Sequence, residues 1–410
     1  MLFKLGGNMP GVLAVVLAGG EGTRLLPLTL SRSKPAVAFA GSYRLIDFVL
    51  NNLVNSNILK IYVLTQFKSQ SLYLHLKKGW NINGISGCFI DPIPAQMRLG
   101  KRWYDGTADS VFQNLSFIQQ ESPKYICVFG SDHIYKMDIT QMLSYHRHTK
   151  AALTVAAVRM PIEQSSSFGV IEIDENNRMI GFEEKPRNPK CIPGEPGYCL
   201  VSMGNYIFDP KTLYEETAKD NENPYSSHDF GKDIIPELFK TKPVYVYDFS
   251  KNEISGEEHR QGYWRDVGDL DTYWQAHMDL LDTPSKFSLY NPQWPLHTFY
   301  PPLPPVKYRG ERPSNVQQSL ICAGTLINSA TIKHSVVGFE CKIGENTVVE
   351  NSILIGKITV GSNCHIKNTI IDKDVIINNN QTIGFDQQKD AKLSTISKGG
   401  IRVIKKGTVI

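Results

Sequence analysis

The chain alternates short apolar runs with stretches in which apolar residues recur every three or four positions. Val12–Ala18 is apolar throughout, which predicts a buried parallel strand. Lys60–Thr65 and residues 125–129 predict two more strands. Between them, residues 44–56 place Leu45, Ile46, Val49, Leu50, Leu53 and Val54 on one helical face, and residues 69–78 read as a second amphipathic helix. Residues 107–120 predict a third helix, with Thr107 and Asp109 as candidate caps. Strands alternating with helices predict an open, mainly parallel α/β sheet, in which ligands sit beyond the carboxyl ends of the strands. From residue 153 strands dominate: 153–158, Gly169–Ile173, Met179–Glu184 and Tyr198–Phe208. They predict an extension of the same domain that carries a second substrate. A strand over 263–267 leads into a helix near Asp269.

The period then changes. Residues 284–313, rich in proline and aromatics, predict an ordered connector packed by its rings. Beyond it Leu326 and Ile332 stand six apart, as do Val337 and Ile343. Leu354, Val360 and Ile366 repeat the step, and so do Ile371, Ile377 and Ile383. Gly344, Gly356, Gly361 and Gly384 follow aliphatic positions. A six-residue aliphatic step predicts a parallel β-helix with one triangular turn per three hexapeptides; an antiparallel β domain of period two is the alternative. The expected division is a catalytic domain over 1–285, a connector over 286–315 and a β-helix over 316–410.

Composition adds exclusions. A net charge of +4 over 410 residues gives no warrant for a nucleic-acid or membrane surface. Seven cysteines without a Cys-x-x-Cys pair indicate neither a disulfide framework nor a zinc site, and suit a reducing, cytoplasmic setting. No apolar run reaches the roughly 20 residues that span a bilayer, and the amino-terminal apolar run has no cleavage-like site.

Candidate chemistry begins at Gly19-Gly20-Glu21-Gly22-Thr23-Arg24-Leu25, directly after the first strand. Three glycines let the backbone approach a bulky anion and point N–H groups at it. Arg24 offers a planar fork for phosphate, and Lys34 follows as a second cation. The Gly-Lys-Ser/Thr ending of a P-loop is absent, and the glycine spacing is not that of a dinucleotide fingerprint. The loop therefore reads as a nucleotide-phosphate cradle or as an ordinary strand-to-helix turn. Asp132, at a strand end beside His133, suits Mg²⁺ or the cap of a helix beginning near Asp138. Asp266 is either its partner in a metal–nucleotide site or half of a salt bridge to Arg265 or another cation. Lys185, fixed by Pro186, suits a phosphate monoester or plain solvent. Ser165-Ser166-Ser167 and Trp103-Tyr104 could approach a sugar, although tyrosines are more often core. The histidines lack metal spacing with carboxylates and read as structural.

Taken in order, Leu17–Leu25, Lys34–Val37, Tyr43–Phe48, Trp103–Asp109, Asp132–Lys136, Ser167–Val170, Glu184–Pro186, Ser202–Tyr206, Ser227–Pro236 and Tyr263–Gly268 resemble the glucose-1-phosphate adenylyltransferase (ADP-glucose pyrophosphorylase) family of bacterial glycogen synthesis. The match spans almost the whole chain. It implies a Rossmann-like nucleotidyltransferase sheet followed by a left-handed parallel β-helix. The implied activity is transfer of the adenylyl group of ATP to glucose 1-phosphate, giving ADP-glucose and pyrophosphate, with Mg²⁺ as cofactor. By the resemblance Leu17, Ala18, Gly19, Gly20, Gly22 and Arg24 hold the nucleotide, with Gln66 and Gln96 near the adenine and Lys34 near the triphosphate. Asp132 and Asp266 coordinate Mg²⁺. Tyr104, Gly169, Glu184, Lys185 and Ser202 meet glucose 1-phosphate. Arg32 and Arg44 match regulatory positions, and the tail implies an oligomer and effector interface in a homotetramer.

Some positions depart from the pattern. Residue 131 is Ser where many members have Gly. Ser31, Ala38 and Gln120 stand where enteric-type members carry Lys, His and Arg, so the sugar-bisphosphate and AMP responses of that group do not transfer. A transferase for UTP, dTTP or GTP is a rival reading, opposed by the Trp103–Asp109 and 226–232 stretches. A non-catalytic subunit would be expected to lose Arg24, Asp132, Lys185 or Asp266. A hexapeptide acyltransferase would need a catalytic histidine that the tail does not evidently hold.

Overall fold

The computed structural model describes residues 8–82, 87–98, 100, 102–258 and 262–410. The first seven residues, where the absence of a leader was read, lie outside them. A nine-stranded sheet forms the body. Its path runs Met179–Glu184, Gly169–Ile173, Tyr198–Phe208, Tyr125–Gly130, Val12–Ala18, Lys60–Thr65 and Phe89–Pro94; Leu153–Pro161 also pairs with Tyr198–Phe208, and Val244–Asp248 with Leu153–Pro161. The strands beside Val12–Ala18 are parallel to it, whereas Tyr198–Phe208 runs antiparallel to all three of its neighbours. Val12–Val16 are shielded from both faces, which is why the strand carries no alternation.

The expected helices form over Leu45–Asn55 and Gln70–Gly79. The third does not run unbroken. Thr107–Phe112 and Leu115–Gln120 are separate helices, because Asn114 turns its amide back to Ser110 O at 2.8 Å and to Tyr104 Oη at 2.9 Å, a local bond that competes with the helix ladder. Neither Thr107 nor Asp109 caps it; Gly106 precedes it, and Thr107 Oγ1 donates to Asp229 Oδ2 at 3.0 Å. The edge strand Phe89–Pro94 went unforeseen because its two prolines read as breakers; an edge tolerates them.

The connector is ordered as expected. Phe287 stacks edge-on against Phe48, and His297 against Trp80. Fully buried Asp47 fastens it: its carboxylate accepts from Trp80 Nε1 at 2.8 Å, Thr298 Oγ1 at 2.7 Å and the Arg44 N–H at 2.8 Å, and faces His75 Nε2 at 2.6 Å.

The tail coils into three parallel sheets. Ile332, Val349, Ile366 and Ile383 stack in register; so do Val337, Leu354 and Ile371, and Ile343, Val360 and Ile377. These side chains fill the bore. Two corrections follow. Ile327 rather than Leu326 points inward. The inward positions 327, 332, 337, 343 and 349 also show that some steps span five residues, two of them in the turn from 327 to 343 and one in the turn from 332 to 349, so a turn falls one or two short of three hexapeptides. The five-residue steps from 332, 349 and 366 turn at left-handed His334, Asn351 and Asn368; asparagine and histidine tolerate that conformation better than most residues.

The coil packs onto the body through a shared core in which Val336, Ile353 and Ile370 meet Phe48, Tyr273 and Phe39. Trp274 Nε1 donates to Asn351 O at 2.9 Å. Arg32, 6% exposed, grips Asp372 with two bonds of 2.8 and 3.0 Å. Breaking a buried pair by removing one partner costs about 3–5 kcal/mol, whereas replacing both by apolar groups is often neutral. Arg32→Met alone is therefore expected to lower the urea midpoint clearly, and Arg32→Met with Asp372→Leu to recover most of it.

Candidate active site

A two-stranded ribbon builds the site. His133–Tyr135 pairs antiparallel with Trp264–Asp266, and the register sets Asp266 opposite His133. Two acids 134 positions apart in the chain thus stand side by side at the mouth of the main sheet. Ser131 Oγ donates to Leu17 O at 2.6 Å, tying this turn to the end of the first strand. Asp132, His133 and Asp266 present ligand atoms that all lie within 4.8 Å of one another. Lys34 reaches the same point, with Nζ 2.6 Å from Asp132 Oδ2 and 3.8 Å from Asp266 Oδ1. Burial pushes the Asp132 carboxyl up, but the Lys34 and His133 charges outweigh it and hold the group well below the usual carboxylate range. The cap proposed as the alternative for Asp132 is supplied by Asp138, which accepts from Thr140 N at 2.9 Å. Arg265 pairs with Asp279 at 2.7 Å, so the cation that Asp266 meets is Lys34.

The cleft at these groups holds about 540 Å³, and Leu17, Gly19, Gly20, Arg24 and Lys34 are among its lining residues. The glycine loop leads into a three-residue turn, Thr23–Leu25, rather than a long helix. Gly22 has φ 72°, and a Cβ there would meet Lys34 Cβ at 3.0 Å and Thr29 Cγ2 at 3.1 Å. It shapes the loop from behind. A Cβ on Gly20 would meet nothing within 4 Å, so that backbone faces open space.

Tyr104, Gly169, Glu184 and Ser202 also line the cleft, with Tyr104 close to Gly19. Tyr104 Oη accepts from Asn114, which leaves its proton free for a ligand. A Cβ on Gly169 would strike Phe182 Cζ at 2.4 Å and Glu184 Oε2 at 2.9 Å; the glycine admits the carboxylate to the cleft. Ser202 Oγ accepts from Gly204 N at 3.2 Å, where the strand bulges. Gln66 also lines the cleft, holding the backbone of Tyr104 through Oε1 at 2.8 Å. Ala18, Gly22, Gln96 and Lys185 are not among the lining residues. Gln96 is exposed beside Arg98, and Lys185 lies on the rim with Nζ 3.0 Å from Glu184 Oε1. Sequence reasoning missed His133, Thr107, Asp229 and Trp264 as lining groups. The Asp132–Lys136, Trp103–Asp109, Ser227–Pro236 and Tyr263–Gly268 stretches contain them, but no spacing marks them out individually.

A second cavity of about 230 Å³ opens between body and coil, lined by Arg44, His75, Lys357 and Lys373 among others. Arg44 Nη1 donates to Ser71 O at 2.9 Å. Burial, with Arg44 and Arg32 nearby, pushes the Lys373 ammonium down to about 8. Arg32 does not line this cavity; it is spent on Asp372.

Residues 13–283 match the nucleotidyl transferase family, and residues 301–404 match the family described as GlmU-like, C-terminal hexapeptide. A glucose-1-phosphate adenylyltransferase 1 of Vibrio parahaemolyticus is 58% identical over 401 residues, covering 97% of this chain and 99% of its own length. A glucose-1-phosphate adenylyltransferase of Photobacterium profundum is 59% identical over 404 residues, covering 98% and 100%. One from an Anaeromyxobacter strain is 45% identical over 405 residues, covering 97% and 98%.

The Lys373 shift has a signed consequence. The fold disfavours its charged form, so the penalty is fully present below pH 8 and disappears as pH rises toward the unfolded value of 10.5. Lys373→Met is expected to raise Tm at pH 7 in anion-free buffer, and the gain should vanish near pH 10.5. Thermal scans across that range check it.

Proposed function

The chain belongs to the glucose-1-phosphate adenylyltransferase family of nucleotidyltransferases, and on that premise we propose that the 540 Å³ cleft joins ATP to glucose 1-phosphate, releasing ADP-glucose and pyrophosphate. The observation that carries the reading is the meeting of Asp132, Asp266 and Lys34 beside the glycine loop. An oxygen of the sugar phosphate attacks the α-phosphorus, the bond to the β-bridging oxygen breaks, and pyrophosphate leaves with the electron pair. The attacking oxygen is already ionised, so no general base is assigned, His133 included. Such chemistry is chiefly positioning and charge stabilisation, and aligning two reactants removes roughly 7–11 kcal/mol of barrier.

In this reading Gly19, Gly20 and Arg24 receive the triphosphate. Lys34 adds positive charge where the two anions meet. Tyr104, Glu184 and Ser202 face the hexose, with Gly169 making room. Lys185 turns from Glu184 to the sugar phosphate. Gln66 steadies the Tyr104 wall near the base. The donor set of two carboxylates and an imidazole within 4.8 Å fits a divalent ion; Asp132 and Asp266 would hold Mg²⁺, which when bound offsets phosphate charge. Arg44 and Lys373 suit an anionic effector in the second cavity, while Arg32 serves as a clamp. Ala38 lines that cavity, consistent with an effector choice unlike the enteric one. A homotetramer, a cytoplasmic setting and the division at 285 and 315 belong to the same proposal; the cysteines are all free among the described residues, and none of their helices is long and apolar enough to cross a membrane.

Pyrophosphate release by the purified chain with each of four nucleoside triphosphates tests the reading. ATP should be strongly preferred; equal or better use of UTP, dTTP or GTP would reject it, as would no turnover at all. Asp132→Asn should lower kcat far more than it weakens glucose 1-phosphate binding. Lys185→Gln should raise the KM for glucose 1-phosphate roughly 10- to 150-fold, the worth of a charge-assisted hydrogen bond, and leave that for ATP nearly unchanged.

A further inference from the structure

Lys34 occupies the space between the two acids. Its ammonium lies 2.6 Å from Asp132 and 3.8 Å from Asp266, whose oxygens also lie within 4.8 Å of the His133 imidazole. The side chain has little freedom to leave on its own. Lys34 is 8% exposed and opens a tight turn that Pro35 stiffens, with Gly22 against its Cβ. A divalent ion held by both carboxylates would share this small volume with the ammonium. Like charges so placed repel, and the partly buried setting screens them poorly. Without an ion, by contrast, the two acids need the ammonium to stay together.

We infer that Lys34 is a placeholder cation: it holds Asp132 and Asp266 in ligand-ready positions, and cedes them to a divalent ion only when arriving phosphates offer its ammonium another anion. The inference rests on the reading of Asp132 and Asp266 as the metal carboxylates. Gly19, Gly20 and Arg24 line the cleft together with Lys34, which packs against Gly22 of the same loop, so phosphates bound at the loop arrive near the ammonium. Metal and nucleotide binding are then coupled, each favouring the other. The lysine that assists the reaction also guards against idle loading of the site.

The test is Mn²⁺ binding to the full chain without nucleotide, read as the loss of the free-ion signal in electron paramagnetic resonance. Wild type should bind weakly. Lys34→Met, which keeps the apolar stem without the charge, and Lys34→Gln should bind at least tenfold more tightly, and Mn²⁺ should raise their Tm more than that of wild type. Lys34→Arg keeps the charge and should bind as weakly as wild type. Neutral variants that bind no more tightly, or an arginine variant that tightens, overturn the placeholder role. Asp132→Asn separates the two ideas. If it abolishes Mn²⁺ binding while Lys34→Met gains nothing, the metal site stands and the placeholder falls. If Lys34→Met keeps its tight binding after Asp132→Asn is added, the ion lies elsewhere and both readings fall.

Discussion

The pairing of His133–Tyr135 with Trp264–Asp266 is the constraint on which the rest depends. Each carboxylate alone is an ordinary acid at the end of a strand. Their juxtaposition creates a local excess of negative charge, and only a cation can make that tolerable in a partly buried cleft. Lys34 meets the demand. The glycine loop packs on Lys34 through Gly22, and the first strand is tied to the Asp132 turn through Ser131. A short ribbon thus fixes the relative positions of the cationic and acidic halves of the site. The ribbon holds because Trp264 packs against the His133 ring, centroids 5.2 Å apart, and against Phe168 at 5.4 Å.

The β-helix is more than an appendage. Its outer face completes a core begun by Phe39, Phe48 and Tyr273. The segment that supplies Lys34 is bounded by Arg32, which reaches across to Asp372, and by Ala38, whose carbonyl accepts from Tyr273 Oη at 2.6 Å. A disturbance at the junction between body and coil therefore has a short covalent path to Lys34. The second cavity sits at this junction, with Arg44, Lys357 and Lys373 on its walls. An anion there would relieve crowding among positive groups, and that differential is what the proposed effector would act through.

Much of this was legible in the lettering. Uniformly apolar strands, the amphipathic helix over Leu45–Asn55 and the aliphatic step of the tail reflect burial, which acts on each position separately and so leaves a local record. The order of short motifs carried the family. What stayed hidden depended on partners far away in the chain. No spacing says that Asp266 faces His133, because register between remote strands is set by tertiary packing. Arg32 matched a regulatory position, and nothing nearby in sequence announces its partner Asp372. The break at Asn114 came from one amide choosing a carbonyl over the helix, and the edge strand with Pro92 and Pro94 from a site where missing donors cost nothing. The five-residue step went unread because a strict hexapeptide count hides a shortened corner.

The most direct measurement is anomalous diffraction from crystals of the chain soaked with Mn²⁺, a non-hydrolysable ATP analogue and glucose 1-phosphate. The account expects an Mn²⁺ peak ligated by Asp132 and Asp266, with the α-phosphorus and the sugar phosphate in the same cleft and the Lys34 ammonium moved onto phosphate oxygens. An ion bound away from this pair of acids, or the two substrates seated in separate clefts, would contradict it.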